Sequence, residues 1–428
     1  MNDDLRNVTY SRIKDEINVN NVAALYYSSQ LFSLSEPPLR FIERCFPMFV
    51  DSLNFLELDV MSVAKLLSSS ELNVDTEFQV FEAANGWLSH NLEERGKHAS
   101  YIFSKIRVSL LSTPALKHIS NKHNVYLHAS SKRSSIRYCK QENFNIIVCG
   151  STDVKAPDAV SDVISVQASN RYSVNILPQT EAGGSRNYRA AVCVKGKVYA
   201  FDGVHGNGRL ARSVEMYSPA TKTWQVVAGM DVLYFTYDYC ACSFADKIYL
   251  IGATASRERS TCVEFDTKNL TWNQVGGTNR ERCHAACAVF EGKITVCGGG
   301  FYGEKTVEVY DPFEDSWTYV PSMIKTRIHH KSVAVKNKLF AVGGLKEPTC
   351  EVFDSRCGNF VFVATPKPFS RYLNYPGNVM SIGNKLVLFE SQLATVLFYD
   401  LENDKWSKQS LEVAKDVDFY CYAKVPQS

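Results

Sequence analysis

The stretch Lys293-Ile294-Thr295-Val296-Cys297-Gly298-Gly299 decides how this chain is read, together with Val307-Glu308-Val309-Tyr310-Asp311-Pro312 and Trp317 downstream of it. A β-rich run that stops at a glycine pair is a strand entering a tight bend, and the later Tyr-Asp and Trp mark two further strands. The arrangement recurs on both sides. Short apolar runs end at Gly150, Asp202, Gly252, Gly298, Gly343 and Glu390, spaced by 52, 50, 46, 45 and 47 residues. Five of them are followed by an aromatic residue, then Asp or Ser, then a second aromatic six positions on. These are Tyr217-Ser218 with Trp224, Phe265-Asp266 with Trp272, Tyr310-Asp311 with Trp317, Phe353-Asp354 with Phe360, and Tyr399-Asp400 with Trp406. The first unit keeps the spacing with other chemistry, Val166-Gln167 and Ser173.

A period of 45–50 residues with four short strands per unit is that of a propeller blade, because one four-stranded sheet cannot cover both of its own faces. Stacked in a ring, six such sheets bury those faces against one another. Most units open with an extra strand, such as Ala190-Ala191-Val192-Cys193-Val194 or Ala285-Ala286-Cys287-Ala288-Val289. The first unit lacks one, and the chain ends on an orphan strand, Asp418-Phe419-Tyr420-Cys421-Tyr422-Ala423-Lys424-Val425. The expectation is an all-β six-bladed propeller over 144–425, closed by that C-terminal strand pairing into the first blade.

Ahead of the repeats the apolar period is helical. Val22, Leu25, Ser29 and Phe32 mark one face, and Leu39, Ile42, Cys45, Phe46 and Phe49 a second, with Pro37 and Pro38 in a first turn where a missing N–H costs nothing. Val63, Leu66 and Leu67 fit a third helix capped by Asp59. Val80, Phe81, Ala84, Trp87 and Leu88 fit a fourth after the capping-box spacing of Thr76 and Gln79. Ile102, Ile106 and Val108-Leu110-Leu111 suggest another helix and its exit, ended by Pro114. Residues 1–128 are thus an all-α domain and the fold class is mixed. The polar, basic 129–143 is a linker.

The chain has 428 residues, with Lys+Arg 47 against Asp+Glu 45 and a net charge of +2. A balance so near neutral argues against a phosphate-neutralising surface, so nucleic acid is not expected as a partner. No apolar run approaches a membrane span, and the first residues, Met1-Asn2-Asp3-Asp4-Leu5-Arg6, lack the pattern of a secretory leader. With 13 cysteines and no such leader, the expected setting is cytoplasmic or nuclear, with thiols reduced and acting as small core residues.

At Gly298-Gly299, Tyr310-Asp311 and Trp317 the repeats resemble kelch motifs. Leu72-Asn73-Val74, Glu77, Val80-Phe81-Glu82-Ala83, Trp87 and Ile106-Arg107-Val108-Ser109-Leu110-Leu111-Ser112 resemble a BACK domain. The order is that of the kelch-like (BTB-BACK-kelch) family, whose members are typically substrate-recognition adaptors of cullin–RING ubiquitin ligases; some bind or organise actin. The resemblance implies a BACK domain and six kelch repeats without the BTB domain, which in the family provides dimerisation and most of the cullin contact. Residues 10–20 resemble only the helix that precedes BACK. The glycine pair is intact at Gly298-Gly299 and Gly343-Gly344 and altered at Gly150-Ser151, Asp202-Gly203, Gly252-Ala253 and Glu390-Ser391.

In relatives, targets bind at one end of the ring, just before each innermost strand and just after the glycine pair. By register those positions are Arg186, Asn187 and Tyr188; Tyr237 and Asp238; Arg282 and His284; Phe301 and Tyr302; Arg327 and His329; and Asn374 and Tyr375. Arginine forks and flat aromatics suit protein hot spots. Three arginines and two histidines against one acid suggest an acidic target peptide. A metal is not expected: Cys240-Ala241-Cys242 and Cys283-x3-Cys287 lack paired zinc spacing, and His329 and His330 are adjacent on a strand and point to opposite faces. No GxSxG elbow, P-loop, HExxH or sialidase box is present, and nothing suggests the copper site of a galactose-oxidase-like propeller. The expectation is a non-catalytic adaptor without cofactor, or alternatively an actin-binding scaffold without a ligase link.

Overall fold

The computed structural model describes residues 17, 21–30, 36–44, 46–74, 77–111, 113–123, 144–151, 161–168, 172–177, 186–187, 190–201, 204–205, 212–230, 239–253, 260–300, 304–335, 338–345, 347–354, 358–363, 378–382, 385–389, 395–401, 403–410 and 418–426. Two compact units meet in sequence between Gln141 and Glu142. The residues expected to form the helix before BACK, apart from Ile17, lie outside the described residues, as do those of the linker.

In the first unit the longer helices are Val22–Gln30, Glu36–Arg44, Val60–Ser68, Glu77–His90 and Thr113–His123. Pro37 and Pro38 occupy the first turn of the second of these. Asp59 caps Val60–Ser68, its carboxylate accepting from the backbone N–H groups of Met61 (2.8 Å) and Ser62 (3.0 Å). Val22, Val63, Leu67, Val80, Phe81, Ala84 and Trp87 are buried and form the core. The Trp87 indole N–H donates to the Leu58 carbonyl at 2.9 Å, which lets a large polar-tipped ring sit inside. Pro114 is a correction to the sequence reading. It lies in the first turn of Thr113–His123 and so begins a helix instead of ending one. No helix among the described residues is long and apolar enough to cross a membrane.

The second unit is a β-propeller built from four-stranded antiparallel sheets. Five of these sheets take strands consecutive in sequence, apart from a short β-pair in the first of them, Arg186–Asn187 with Val204–His205, and they open with Ala190–Val194, Tyr239–Phe244, Ala286–Phe290, Lys331–Val335 and Asn378–Ile382. A further four-stranded sheet draws on both ends of the unit. In it Asp418–Pro426 pairs antiparallel with Phe144–Ser151, which continues to Ser161–Ala168 and Tyr172–Leu177. Each opening strand touches the opening strand of the next sheet, and Asp418–Pro426 touches both Ala190–Val194 and Asn378–Ile382.

The aromatic markers are cross-strand partners. Tyr217 faces Trp224, Phe265 Trp272, Tyr310 Trp317, Phe353 Phe360 and Tyr399 Trp406. Their ring centroids lie 5.3, 4.8, 5.1, 5.2 and 5.1 Å apart. Two tryptophans also reach the neighbouring sheet's end: the Trp272 indole donates to Gly229 O at 2.8 Å and Trp317 to Gly276 O at 2.6 Å. The marker thus both fills the space between sheets and pins one sheet to the next.

The glycine pair has a specific job. Gly298 and Gly299 have φ of +59° and +86°, and the Gly299 N–H donates to the Arg327 carbonyl at 2.9 Å. A Cβ at Gly298 would stand 2.6 Å from that carbonyl oxygen, so only glycine lets the loop ahead of the next sheet pass. Where the pair is Gly252-Ala253 the backbone does not bend there, and the strand Lys247–Ala253 runs on through it.

Candidate functional site

Of the positions expected to meet a target, Arg282, His284, Arg327 and His329 have described side chains. Arg186 and Asn187 are described in backbone only, as the short strand paired with Val204–His205. Tyr188, Tyr237, Asp238, Phe301, Tyr302, Asn374 and Tyr375 lie outside the described residues.

Arg282 and Arg327 do not face outward. Arg282 is 0% exposed, and its Nε and Nη2 donate to Glu308 Oε1 at 3.1 and 2.6 Å. Its Nη1 donates to the carbonyls of Gly298 (2.8 Å) and Thr306 (3.0 Å). Arg327 repeats the pattern one sheet on, donating to Glu351 Oε1 at 3.1 and 2.8 Å and to the carbonyls of Gly343 (2.6 Å) and Thr349 (2.8 Å). Each carboxylate is completed by backbone donors, Asn279 for Glu308 and Ile324 with Lys325 for Glu351. A buried charge persists only when paired and hydrogen-bonded in this way. The two arginines are therefore internal braces between the loop before the opening strand and the glycine bend. The expected preference for acidic targets rested on three arginines and two histidines against one acid, and two of the arginines are neutralised inside the fold.

Sequence reading missed Glu308 and Glu351, the partners that draw the arginines inward. Both sit two residues before the aromatic marker of their unit, and that recurrence was the available signal.

The histidines behave differently. His284 and His329, from the loops ahead of successive sheets, are partly exposed, and their rings meet tilted, with centroids 4.0 Å apart and planes at 40°. The His329 N–H donates to the His284 carbonyl at 3.0 Å. Both residues hold left-handed backbone, φ +54° and +55°, a conformation that costs a non-glycine residue energy and concentrates at functional positions. His330, adjacent in sequence, is buried, with neither ring nitrogen partnered among the described residues. Burial, then the charges of Arg327, Lys331 and Arg282, pull its pKa down to about 3, so this imidazole is neutral at physiological pH. No group of three or more His, Cys, Asp or Glu among the described residues is arranged to hold a metal ion.

Two imidazoles on a braced, glycine-bent loop system carry ring faces and N–H or N acceptor edges.

Comparison with known proteins agrees with the geometry. Residues 17–121 match the family model described as BACK: BTB And C-terminal Kelch, and residues 185–231 and 281–324 match the Kelch motif. The chain is 28% identical over 306 residues to Spermatocyte protein spe-26 of Caenorhabditis elegans, covering 68% of this chain and 50% of that protein. It is 24% identical over 468 residues to Kelch-like protein 7 of Rattus norvegicus, covering 93% and 72%. It is also 24% identical to Kelch repeat and BTB domain-containing protein 3 of Mus musculus, spanning 49% of that protein. With its BACK domain followed by kelch motifs, the chain is a relative of the kelch-like proteins.

Proposed function

We propose that this chain is a non-catalytic recognition adaptor: its propeller holds a segment of a target protein and its BACK domain links that target to a cullin–RING ubiquitin ligase. The observation that carries the reading is the His284–His329 pair, brought together from two sheets on left-handed backbone and left partly open. The chain's relatives support the ligase link. The six four-stranded sheets, and the cycle of contacts among their opening strands, support a closed ring of six blades. Arg186, Asn187, Tyr188, Tyr237, Asp238, Phe301, Tyr302, Asn374 and Tyr375 complete the proposed surface by register. The chain would act by position: holding a target beside a ligase raises the effective concentration of its lysines without chemistry by the adaptor. The setting for that work is the cytoplasm or nucleus.

Proximity labelling in cells with the wild-type chain and with His284→Ala/His329→Ala tests this. Target proteins lost from the variant, with a cullin retained in both, are the expected result. An unchanged set of neighbours removes the histidine pair from the binding surface. Co-sedimentation with filamentous actin, with no cullin recovered, would replace the ligase reading with the scaffold reading.

A further inference from the structure

Three cysteines meet between neighbouring sheets. Along Tyr239–Phe244 the side chains alternate, so Cys240 and Cys242 share the face that packs on the sheet opened by Ala286–Phe290. Cys287, on that second strand, faces back toward them within the same apolar cluster, and the two strands are in direct contact. Cys240 and Cys242 are the groups that act most strongly on the Cys287 thiol. Exposure separates them: Cys240 and Cys287 are partly exposed, while Cys242 is buried. Cys262 and Cys297, nearby, are also buried.

We propose that Cys240 and Cys287 form an oxidation site, closing a disulfide between adjacent sheets when a peroxide is the oxidant. The Cys240 thiolate attacks a peroxide oxygen, the O–O bond breaks, and a sulfenic acid and water result. The Cys287 sulfur then attacks the sulfenic sulfur, forming the S–S bond and releasing a second water. Two thiols and one hydrogen peroxide give one disulfide and two waters, the two electrons lost by sulfur reducing the peroxide. Hydrogen bonds with Cys240 and Cys242, followed by burial, push the Cys287 thiol above the ordinary cysteine range. Attack of the Cys287 sulfur on the sulfenic acid is therefore the slow step at neutral pH. The site does not depend on the adaptor reading, since neither cysteine belongs to the proposed target surface.

The test treats the full chain with hydrogen peroxide, blocks remaining thiols with N-ethylmaleimide and maps cross-linked peptides by fragmentation mass spectrometry. A Cys240–Cys287 link is expected in the wild type, reversed by dithiothreitol, lost in Cys240→Ser and Cys287→Ser, and kept in Cys242→Ser and Cys283→Ser. Its formation should speed up as pH rises, because the resolving Cys287 thiol is held above the ordinary cysteine range. The wild-type map settles the matter even if a variant misfolds. Sulfinic or alkylated Cys240 and Cys287 without the link overturn the proposal, and so does a wild-type map in which Cys287 is joined to Cys242 instead.

Discussion

Arg282 is the residue whose environment most changes its meaning. In a loop before a strand, an arginine has the same signature whether it meets a partner or a buried glutamate; here it meets Glu308, with both side chains 0% exposed. Arg282→Ala should therefore destabilise the propeller by about 3–5 kcal/mol, because Glu308 is left charged and unpaired inside. Replacing both members, Arg282→Met with Glu308→Leu, should recover much of that loss, and urea denaturation of the three chains measures it. A partner lost by Arg282→Ala alone would thus report unfolding. The pairing was legible only by comparing units. Arg282 and Arg327 occur in units that carry Glu308 or Glu351 opposite the second strand, whereas units with Val263 or Leu397 at that register have Thr236 or Asn374 in place of the arginine. His330 supplies a second test at this scale. Its pKa of about 3 in the fold lies below that of an unfolded histidine, so between the two values the unfolded chain binds more protons. Stability from this group is full above the unfolded pKa and falls as pH drops toward 3, at up to about 1.4 kcal/mol per pH unit. Denaturation midpoints measured from neutral pH downward should fall less steeply in His330→Gln.

At the scale of the element, the bend after the second strand decides how one sheet admits the next. Gly299 sits at φ +86°, and a Cβ there would lie 2.6 Å from the Cys283 carbonyl oxygen and 2.7 Å from Ala285 Cβ. Gly299→Ala should cost about 1–3 kcal/mol, combining left-handed strain with a backbone clash. Gly358→Ala is the control, since Gly358 has φ +70° but nothing within 4 Å of the added carbon. It should lose only the conformational share, and equal losses in the two variants would refute the clash. The strands themselves were readable from sequence because period-2 alternation, the glycine pair and the Tyr-Asp…Trp marker all report local geometry. Pro114 misled because a proline that ends one helix and a proline that starts another look alike without the next turn's partners. The left-handed backbone of His284 and His329 carried only a weak sequence signal: histidine is among the residues enriched there, but the backbone hydrogen bond between the two positions joins segments far apart in sequence.

For the propeller unit as a whole, the pairing of Asp418–Pro426 with Phe144–Ser151 joins sequence ends to one sheet through eight register pairs. That strand also touches the opening strands on either side of it, so it is at once a ladder partner and a packing partner. Ending the chain at Asp416 removes both roles. At about 1 kcal/mol net per lost ladder bond, the cost approaches the roughly 5–15 kcal/mol that holds a typical domain together. The truncated chain should therefore lose the cooperative melting of the propeller, and the unpaired edge of Phe144–Ser151 should make it associate as concentration rises. Calorimetry with light scattering, using a chain ended at Pro426 as the control, measures both effects. The control should melt like the full chain. If the Asp416 truncation does so too, the terminal strand is only an ornament on that sheet and the propeller's stability resides in the remaining sheets.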